Sequence, residues 1–172
     1  MTRSTSVRLM PALLLMGVMS FTASAQAQAP AAPAAPAQQP AAAAPQALTY
    51  EMAVQVIDAA EAEARKNKWN VTIVVTDAAG IPVVLRRING ASARSYDIAM
   101  RKAATVVAAK MTTAEYGAKM KEKAVTEVPN GITFAGGVPI MRGTEFLGAV
   151  GTSGVTAAQD EVISKAGTSV IK

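Results

Sequence analysis

Two pairs of short apolar runs, each joined by a tight turn, constrain the fold of this 172-residue chain more than any other feature. In the first pair, residues 70–76 and 81–88 flank the turn Asp77-Ala78-Ala79-Gly80; in the second, residues 136–140 and 146–154 flank Arg142-Gly143-Thr144-Glu145. Turns of this composition join antiparallel neighbours. Because hairpins and not crossover units supply the strands, the sequence predicts an antiparallel sheet.

The segments around the hairpins have the apolar spacing of amphipathic helices. Thr49 and Glu51 begin the first helix, whose apolar stripe consists of Ala53, Val56, Ile57, Ala60 and Ala64. A long central helix extends from about Ser92 to Met111, with the stripe Ala99, Ala103, Val106, Val107 and Met111. Each stripe needs a flat apolar partner, and the predicted sheet provides it.

Two shorter helices complete the pattern. One begins at Thr112 or Thr113 and ends at Pro129-Asn130-Gly131. The other opens with a capping box of Thr156 and Gln159, and its predicted buried residues are Val162, Ile163, Ala166 and Val170. The predicted order is helix, two strands, two helices, two strands, helix, with one further short strand at residues 132–134. This order indicates an α+β fold, an antiparallel sheet flanked by helices.

The N-terminal residues have the features of an export signal. Arg3 and Arg8 precede an apolar run that extends to about Ala25, and Ala23-Ser24-Ala25 offers small residues for cleavage before Gln26. Cleavage after Ala25-Gln26-Ala27 is the alternative. We therefore expect a secreted or periplasmic protein that keeps no transmembrane span once residues 1–25 are removed.

Residues 26–47 consist almost wholly of Ala, Pro and Gln, with prolines too closely spaced for a helix, and predict an extended linker. Residues 48–172 then form a single domain. The chain has 17 basic and 12 acidic residues, two of the basic ones in the leader, and no basic stripe interleaved with aromatics. Nucleic acid is therefore not an expected partner.

The chain contains no His and no Cys. Thiol nucleophiles, imidazole bases and zinc sites built from these residues are thereby excluded, and no metal site is predicted. Asp, Glu, Lys and Tyr remain for acid–base chemistry. Met, Tyr, Lys or a hydroxyl would have to supply any protein ligand to a bound iron, so only weak ligation is expected.

The glycine-rich connection between the last strand and the last helix is the candidate ligand site. Gly151 and Gly154 allow close approach to the backbone, and the helix beginning near Thr156 adds free N–H groups that favour an anion. The alternative is a turn that binds no ligand and needs glycine only for its backbone conformation. The predicted binding residues are Gly136, Gly137, Gly151, Thr152, Ser153 and Gly154, with Arg94 and Lys102 as cations.

Several charged residues have alternative interpretations. Asp160 lies in the first turn of the last helix, where an acid serves the helix dipole, but Asp160 or Lys102 would be the acid or base of an enzyme. Asp77 fits ordinary hairpin chemistry. Arg86 and Arg87 are adjacent on a strand, so only one of them can face a given pocket.

These motifs resemble the GlcG/HbpS type of small, often exported bacterial domains. The resemblance rests on residues 75–80, 89–91, 98–99, 102–103, 136–140, 148–154 and 159–160, and it covers nearly all of residues 48–172. It implies an antiparallel sheet flanked by helices, a homo-oligomer, and haem or a related tetrapyrrole as ligand.

Three hypotheses follow. The first is an exported binding protein for haem or another planar molecule that bears carboxylates. The second is an enzyme or accessory protein that acts on a small hydroxy acid or degrades haem. The third is a structural or sensory oligomer that docks through its linker.

Overall fold

The computed structural model describes residues 47–172, which lie within one compact unit. The predicted leader, 1–25, and all of the predicted linker except Ala47 lie outside the described residues. The elements in chain order are α1 (Tyr50–Lys66), β1 (Thr72–Asp77), β2 (Pro82–Arg87), α2 (Ala93–Ala109), α3 (Thr113–Lys121), β3 (Gly137–Arg142), β4 (Glu145–Ser153) and α4 (Ala157–Thr168). The predicted order and the α+β class are confirmed.

The four strands form one antiparallel sheet in the order β2-β1-β4-β3. Each predicted hairpin is present, and β1 of the first pairs with β4 of the second, so that the two hairpins join at the centre. Asp77 stabilises the first turn, since its Oδ1 accepts from the amides of Ala79 and Ile81, each at 2.9 Å. Asp77 therefore has the ordinary hairpin role expected for it.

One face of the sheet is covered by α1 and α4. The buried residues of α1 are the five predicted from its stripe: Ala53, Val56, Ile57, Ala60 and Ala64. They join one core with Ile73, Val75 and Val150 of the central strands. Removing this apolar surface from water is the main force that holds α1 on the sheet.

The opposite face is covered by α2, with α3 beside it. Here Ala103 and Val106 pack against Ala149. The contact is close because β4 has a glycine where α2 crosses it: a Cβ on Gly151 would overlap the carbonyl oxygen of Ala99. Glycine at this position lets helix backbone and strand backbone approach directly.

Three predictions about elements are wrong in detail. Residues 132–134 form no strand, and α3 ends at Lys121, well before Pro129. Of the residues predicted to be buried in the last helix, Val162 is 46% exposed and Ala166 is only partly buried, while Val170, 39% exposed, lies beyond the end of α4. The buried residues of α4 are Asp160, Ile163, Ser164 and Gly167, because polar groups of this helix have partners inside the protein.

Candidate functional site

A buried ion pair links the two helical layers. Lys102 extends from α2, and its Nζ donates to Oδ2 of Asp160 on α4 at 2.8 Å. The two side chains are 0% and 3% exposed. A second hydrogen bond, also 2.8 Å, joins Nζ to the carbonyl oxygen of Thr152. A charged pair enclosed to this degree requires such partners, since an isolated charge would be very costly to bury.

The sheet leaves room for this pair because glycine occupies the point where Lys102 passes. A Cβ on Gly136 would overlap Lys102 Nζ, and Gly136 has a φ of +121° that other residues rarely adopt. The carbonyl of Gly136 accepts from the amide of Thr152 at 2.8 Å and from the hydroxyl of Ser164 at 2.9 Å. Ser164 also bonds the Thr152 hydroxyl at 2.8 Å, which closes the network.

Burial and pairing act in opposite directions on the two charged groups. Burial lowers the pKa of Lys102, and the hydrogen bond and charge of Asp160 oppose that shift. Burial raises the pKa of Asp160, against the effects of Lys102 and the amide of Val155. Each group thus depends on its partner to remain charged.

Phe134 lies over this pair. The Lys102 ammonium is 5.0 Å from the centre of its ring, which is a cation–π contact, while the ring itself is about half exposed. The pair is therefore separated from solvent by Phe134 and the chain around Gly136. Lys102 and Asp160 are closed to a ligand unless this segment moves.

Three of the amides expected to be free at the glycine-rich connection are bonded to the protein's own groups. The amide of Val155 donates to Oδ1 of Asp160 at 3.3 Å. The predicted capping box is present, with the amides of Thr156 and Gln159 each bonded to the other residue's side chain. These three amides are therefore not open to an anion, and an anion site at the remaining amides of the connection stays a prediction.

The glycines of this connection are used for packing. Gly151 faces α2, and a Cβ on Gly154 would overlap the carbonyl oxygen of Asn70. The amide of Gly137 donates to the Thr113 hydroxyl at 2.9 Å. Ser153 is buried at the end of β4. A role of these residues in ligand binding stays a prediction.

The predicted cations are dispersed. Arg94 is exposed in the first turn of α2, outside the Lys102 network. Arg86 bonds Glu61 of α1 at 2.7 Å, whereas Arg87 donates to the carbonyl of Ala91 at 2.7 Å. The two neighbours have separate partners, as expected for adjacent strand residues.

An apolar cleft of about 410 Å³ lies between the end of α2, α3 and the irregular segment 125–129. Its lining includes Met111, Tyr116 and Pro129, and it is more spacious than three other clefts of 280, 230 and 270 Å³. The sequence analysis missed it, because the segment after α3 had been assigned to the helix. No Gly or Pro lies between Lys121 and Pro129 to mark the end of the helix, so the sequence offered no clear signal of the cleft.

Two features are absent from residues 47–172. No three His, Cys, Asp or Glu side chains in this range come together in a group able to hold a metal ion. Within the same range, no helix has both the length and the apolar content needed to cross a bilayer.

Fold and site together define a class: small α+β domains with helices on both faces of a four-stranded antiparallel sheet, here tied together by an enclosed Lys–Asp pair. The family model described as haem degrading protein HbpS-like matches residues 48–169, and the chain belongs to that family.

Relatives by sequence are bacterial. Protein GlcG of Escherichia coli K12 is 33% identical over 108 residues, which is 62% of this chain and 81% of GlcG. An uncharacterised 15.0 kDa protein of Citrobacter freundii, from a dhaT-dhaS intergenic region, is 29% identical over 124 residues, or 69% of this chain and 87% of that protein.

Two solved structures have the same fold. A double mutant of HbpS from Streptomyces reticuli superposes with a TM-score of 0.71 at 30% identity, covering 83% of this chain and 99% of HbpS. A complex of PduOC with heme superposes with a TM-score of 0.63 at 28% identity, covering 74% of this chain and 96% of PduOC. The predicted family is thus confirmed.

Proposed function

We propose that this protein binds haem or a related tetrapyrrole that bears carboxylates. The observation that carries the proposal is the match to the HbpS-like family across residues 48–169. It is supported by the crystallisation of a relative of the same fold, PduOC, as a complex with heme.

The residues present are compatible with such a ligand. The sequence has no His and no Cys, so any protein ligand to the iron must come from oxygen, nitrogen of Lys, or thioether sulfur. Lys102 is enclosed and paired, whereas the apolar cleft of about 410 Å³ is open to a ligand and has Met111 and Tyr116 in its lining. That volume is within the range of about 300–1,000 Å³ typical of small-molecule sites.

Titration of the purified chain with hemin tests the proposal. We expect a saturable shift of the Soret band with a defined stoichiometry. The matched control is an unrelated protein of similar positive charge, because hemin is an anion at neutral pH and associates with basic surfaces. A spectrum and a titration curve equal to those of the control would refute haem binding.

Three further properties belong to the same proposal. We propose export to the periplasm or the medium, on the strength of the signal features of residues 1–25; the mass of the protein recovered from the producing cell would reveal the cleavage.

A homo-oligomer stays a prediction from the resemblance. Catalysis remains the alternative hypothesis, and the enclosure of Lys102 and Asp160 offers it no direct substrate access. Loss of turnover in a folded Asp160→Asn variant would identify an enzyme.

A further inference from the structure

We propose that the Lys102–Asp160 pair is a binding site of its own, which takes a small flat molecule with a neutral carbonyl oxygen when the Phe134 side chain turns outward. Three features of the molecule carry this proposal: the third hydrogen-bond donor of the ammonium group, the loose attachment of the ring that covers it, and the balanced charge of the pair. Such a site is independent of haem binding.

One N–H of the Lys102 ammonium has no oxygen acceptor in the described part of the chain. An ammonium group carries three donors, and two of them bond the Asp160 carboxylate and the Thr152 carbonyl, each at 2.8 Å. The ring of Phe134 lies against the same group, with its centre 5.0 Å from Nζ. A ring face satisfies an ammonium less well than an oxygen does. An oxygen placed where the ring lies would therefore complete the hydrogen bonds of Lys102.

The side chain of Phe134 is loosely held. Residues 133–135 make no hydrogen bond to the rest of the described chain, and the ring is 46% exposed. The chain on both sides is fixed, because the amide of Ile132 donates to the Thr105 hydroxyl at 2.9 Å and Gly136 has the two hydrogen bonds given above. Phe134 can thus rotate about its own Cα–Cβ bond at the cost of one cation–π contact and part of its burial, while its neighbours stay in place.

The charge of the pair decides which kind of oxygen it accepts. Lys102 and Asp160 together are neutral, and burial already acts against each charge, since it lowers the pKa of Lys102 and raises the pKa of Asp160. A carboxylate beside them would add a buried charge without a partner, which is very costly. A carbonyl oxygen accepts the same hydrogen bond and adds no charge. The pair therefore favours a neutral carbonyl compound over an acid anion.

The ring of Phe134 sets the size of the ligand, which takes the ring's place. Gly136 lies at the edge of this space, and a Cβ there would overlap Lys102 Nζ. Because glycine has no side chain, a flat molecule can lie directly against the backbone. A single ring or a short chain with one carbonyl group fits such a space. A tetrapyrrole is much larger than one phenyl ring, so this site is distinct from any haem site.

The first experiment measures how Lys102 becomes accessible. The full chain is treated with an amine-acylating reagent, and mass spectrometry of its peptides gives the rate at each lysine, with exposed Lys119 as the control for reagent activity. We expect Lys102 to react slowly, at a rate that stays constant in urea below the unfolding transition, because a local opening exposes little surface. A rate that rises with urea as steeply as global unfolding does would overturn the proposal.

The second experiment measures the binding of benzamide, a flat neutral carbonyl compound, by titration calorimetry. Phe134→Ala should bind benzamide at least about tenfold more tightly than the wild type, since no opening has to precede binding. The matched control is Phe146→Ala, because the ring of Phe146 lies in a similar contact, with its centre 3.7 Å from the ammonium of Lys110. This variant should bind as the wild type does. Benzoate, with the same ring and a charge, should bind at least about tenfold more weakly than benzamide.

A variant without the pair locates the bound benzamide. Lys102→Met alone leaves Asp160 unpaired and less stable, whereas Lys102→Met combined with Asp160→Leu replaces both charges by apolar groups, which proteins often tolerate. In the Phe134→Ala background this combination should abolish benzamide binding, because the donor is lost. Unchanged affinity there, or equal affinities of Phe134→Ala and Phe146→Ala, would overturn the site. Equal affinities for benzoate and benzamide would overturn the assignment of a neutral carbonyl ligand.

Discussion

Lys102 is the residue with the most demanding environment in the described chain. It is fully buried, and its charge is balanced by one carboxylate and one carbonyl, of Asp160 and Thr152. Gly136 is obligatory beside it, because a side chain there would occupy the position of the ammonium group. Lys102, Asp160 and Gly136 thus depend on one another: the two charges balance each other, and the ammonium group needs the space that the glycine leaves.

Replacement of Lys102 by Met removes the cation and leaves Asp160 buried without its partner. We expect the free energy of unfolding at neutral pH to fall by about 3–5 kcal/mol. Urea unfolding measures it. Arg94→Met, at an exposed position of the same helix, is the control and should change stability little.

The loss in Lys102→Met should depend on pH in a defined direction. The pKa of Asp160 is raised above its ordinary value of 3.8, and Lys102 limits that rise. A raised pKa contributes stability that is fully present below pH 3.8 and is lost as the pH rises through the folded-state value. The variant, with a higher pKa still, should lose more stability between acid and neutral pH than the wild type. An equal loss at both ends would contradict the pairing.

At the scale of elements, the direct contact between α2 and β4 determines where the long helix lies. Gly151 permits it, and Ala99 and Ala103 form the facing helix surface. Small residues on both sides bring the backbones together, which in turn brings Lys102 within reach of the far helical layer. Gly151 of β4 therefore affects the Lys102–Asp160 pair indirectly, because it sets the position of α2.

Gly151→Ala should push α2 away from the sheet. The new methyl group would overlap the carbonyl of Ala99, and overpacking of a tight contact costs about 1–3 kcal/mol or more. The control is Gly143→Asn in the β3–β4 turn, where nothing lies within 4 Å of the added Cβ and Asn tolerates the φ of +60°. Thermal unfolding distinguishes them; equal midpoints would contradict the close contact.

At the scale of the whole molecule, one core begins at the first residues of the described chain. Leu48 is buried in the same cluster as Ile163 of α4. Thr49 caps α1, accepting from the amide of Met52 at 3.2 Å. Leu48 is thus the first residue of the described chain whose side chain joins the core, and the domain boundary at residue 48 stays a prediction.

A chain shortened to residues 47–172 should unfold cooperatively at the same temperature as the full chain, because the described core needs nothing before Leu48. A chain shortened to residues 51–172 loses Leu48 and the Thr49 cap. It should melt lower, by roughly 4 °C for each kcal/mol lost, since its size lies between small domains and those of 150 residues or more. Calorimetry measures both; equal midpoints for the two fragments would refute the boundary.

Much of the fold could be predicted from local patterns. The five buried residues of α1 follow from its spacing, and both hairpins follow from their turns. The stripe of α4 could not be predicted in the same way, because Asp160 and Ser164 are polar and yet buried. Apolar periodicity identifies buried faces only where burial is apolar.

The sequence alone determined the elements, their order and the antiparallel pairing, since turns and amphipathic spacing act between residues that are near in the chain. Only the tertiary structure decided the interior of the candidate site. Lys102 and Asp160 are 58 positions apart and meet because Gly136 and Gly151 let two helices approach from opposite sides of one sheet. The cleft at Met111 likewise depends on Tyr116 holding residues 125–129 in place, a long-range bond that no local pattern encodes.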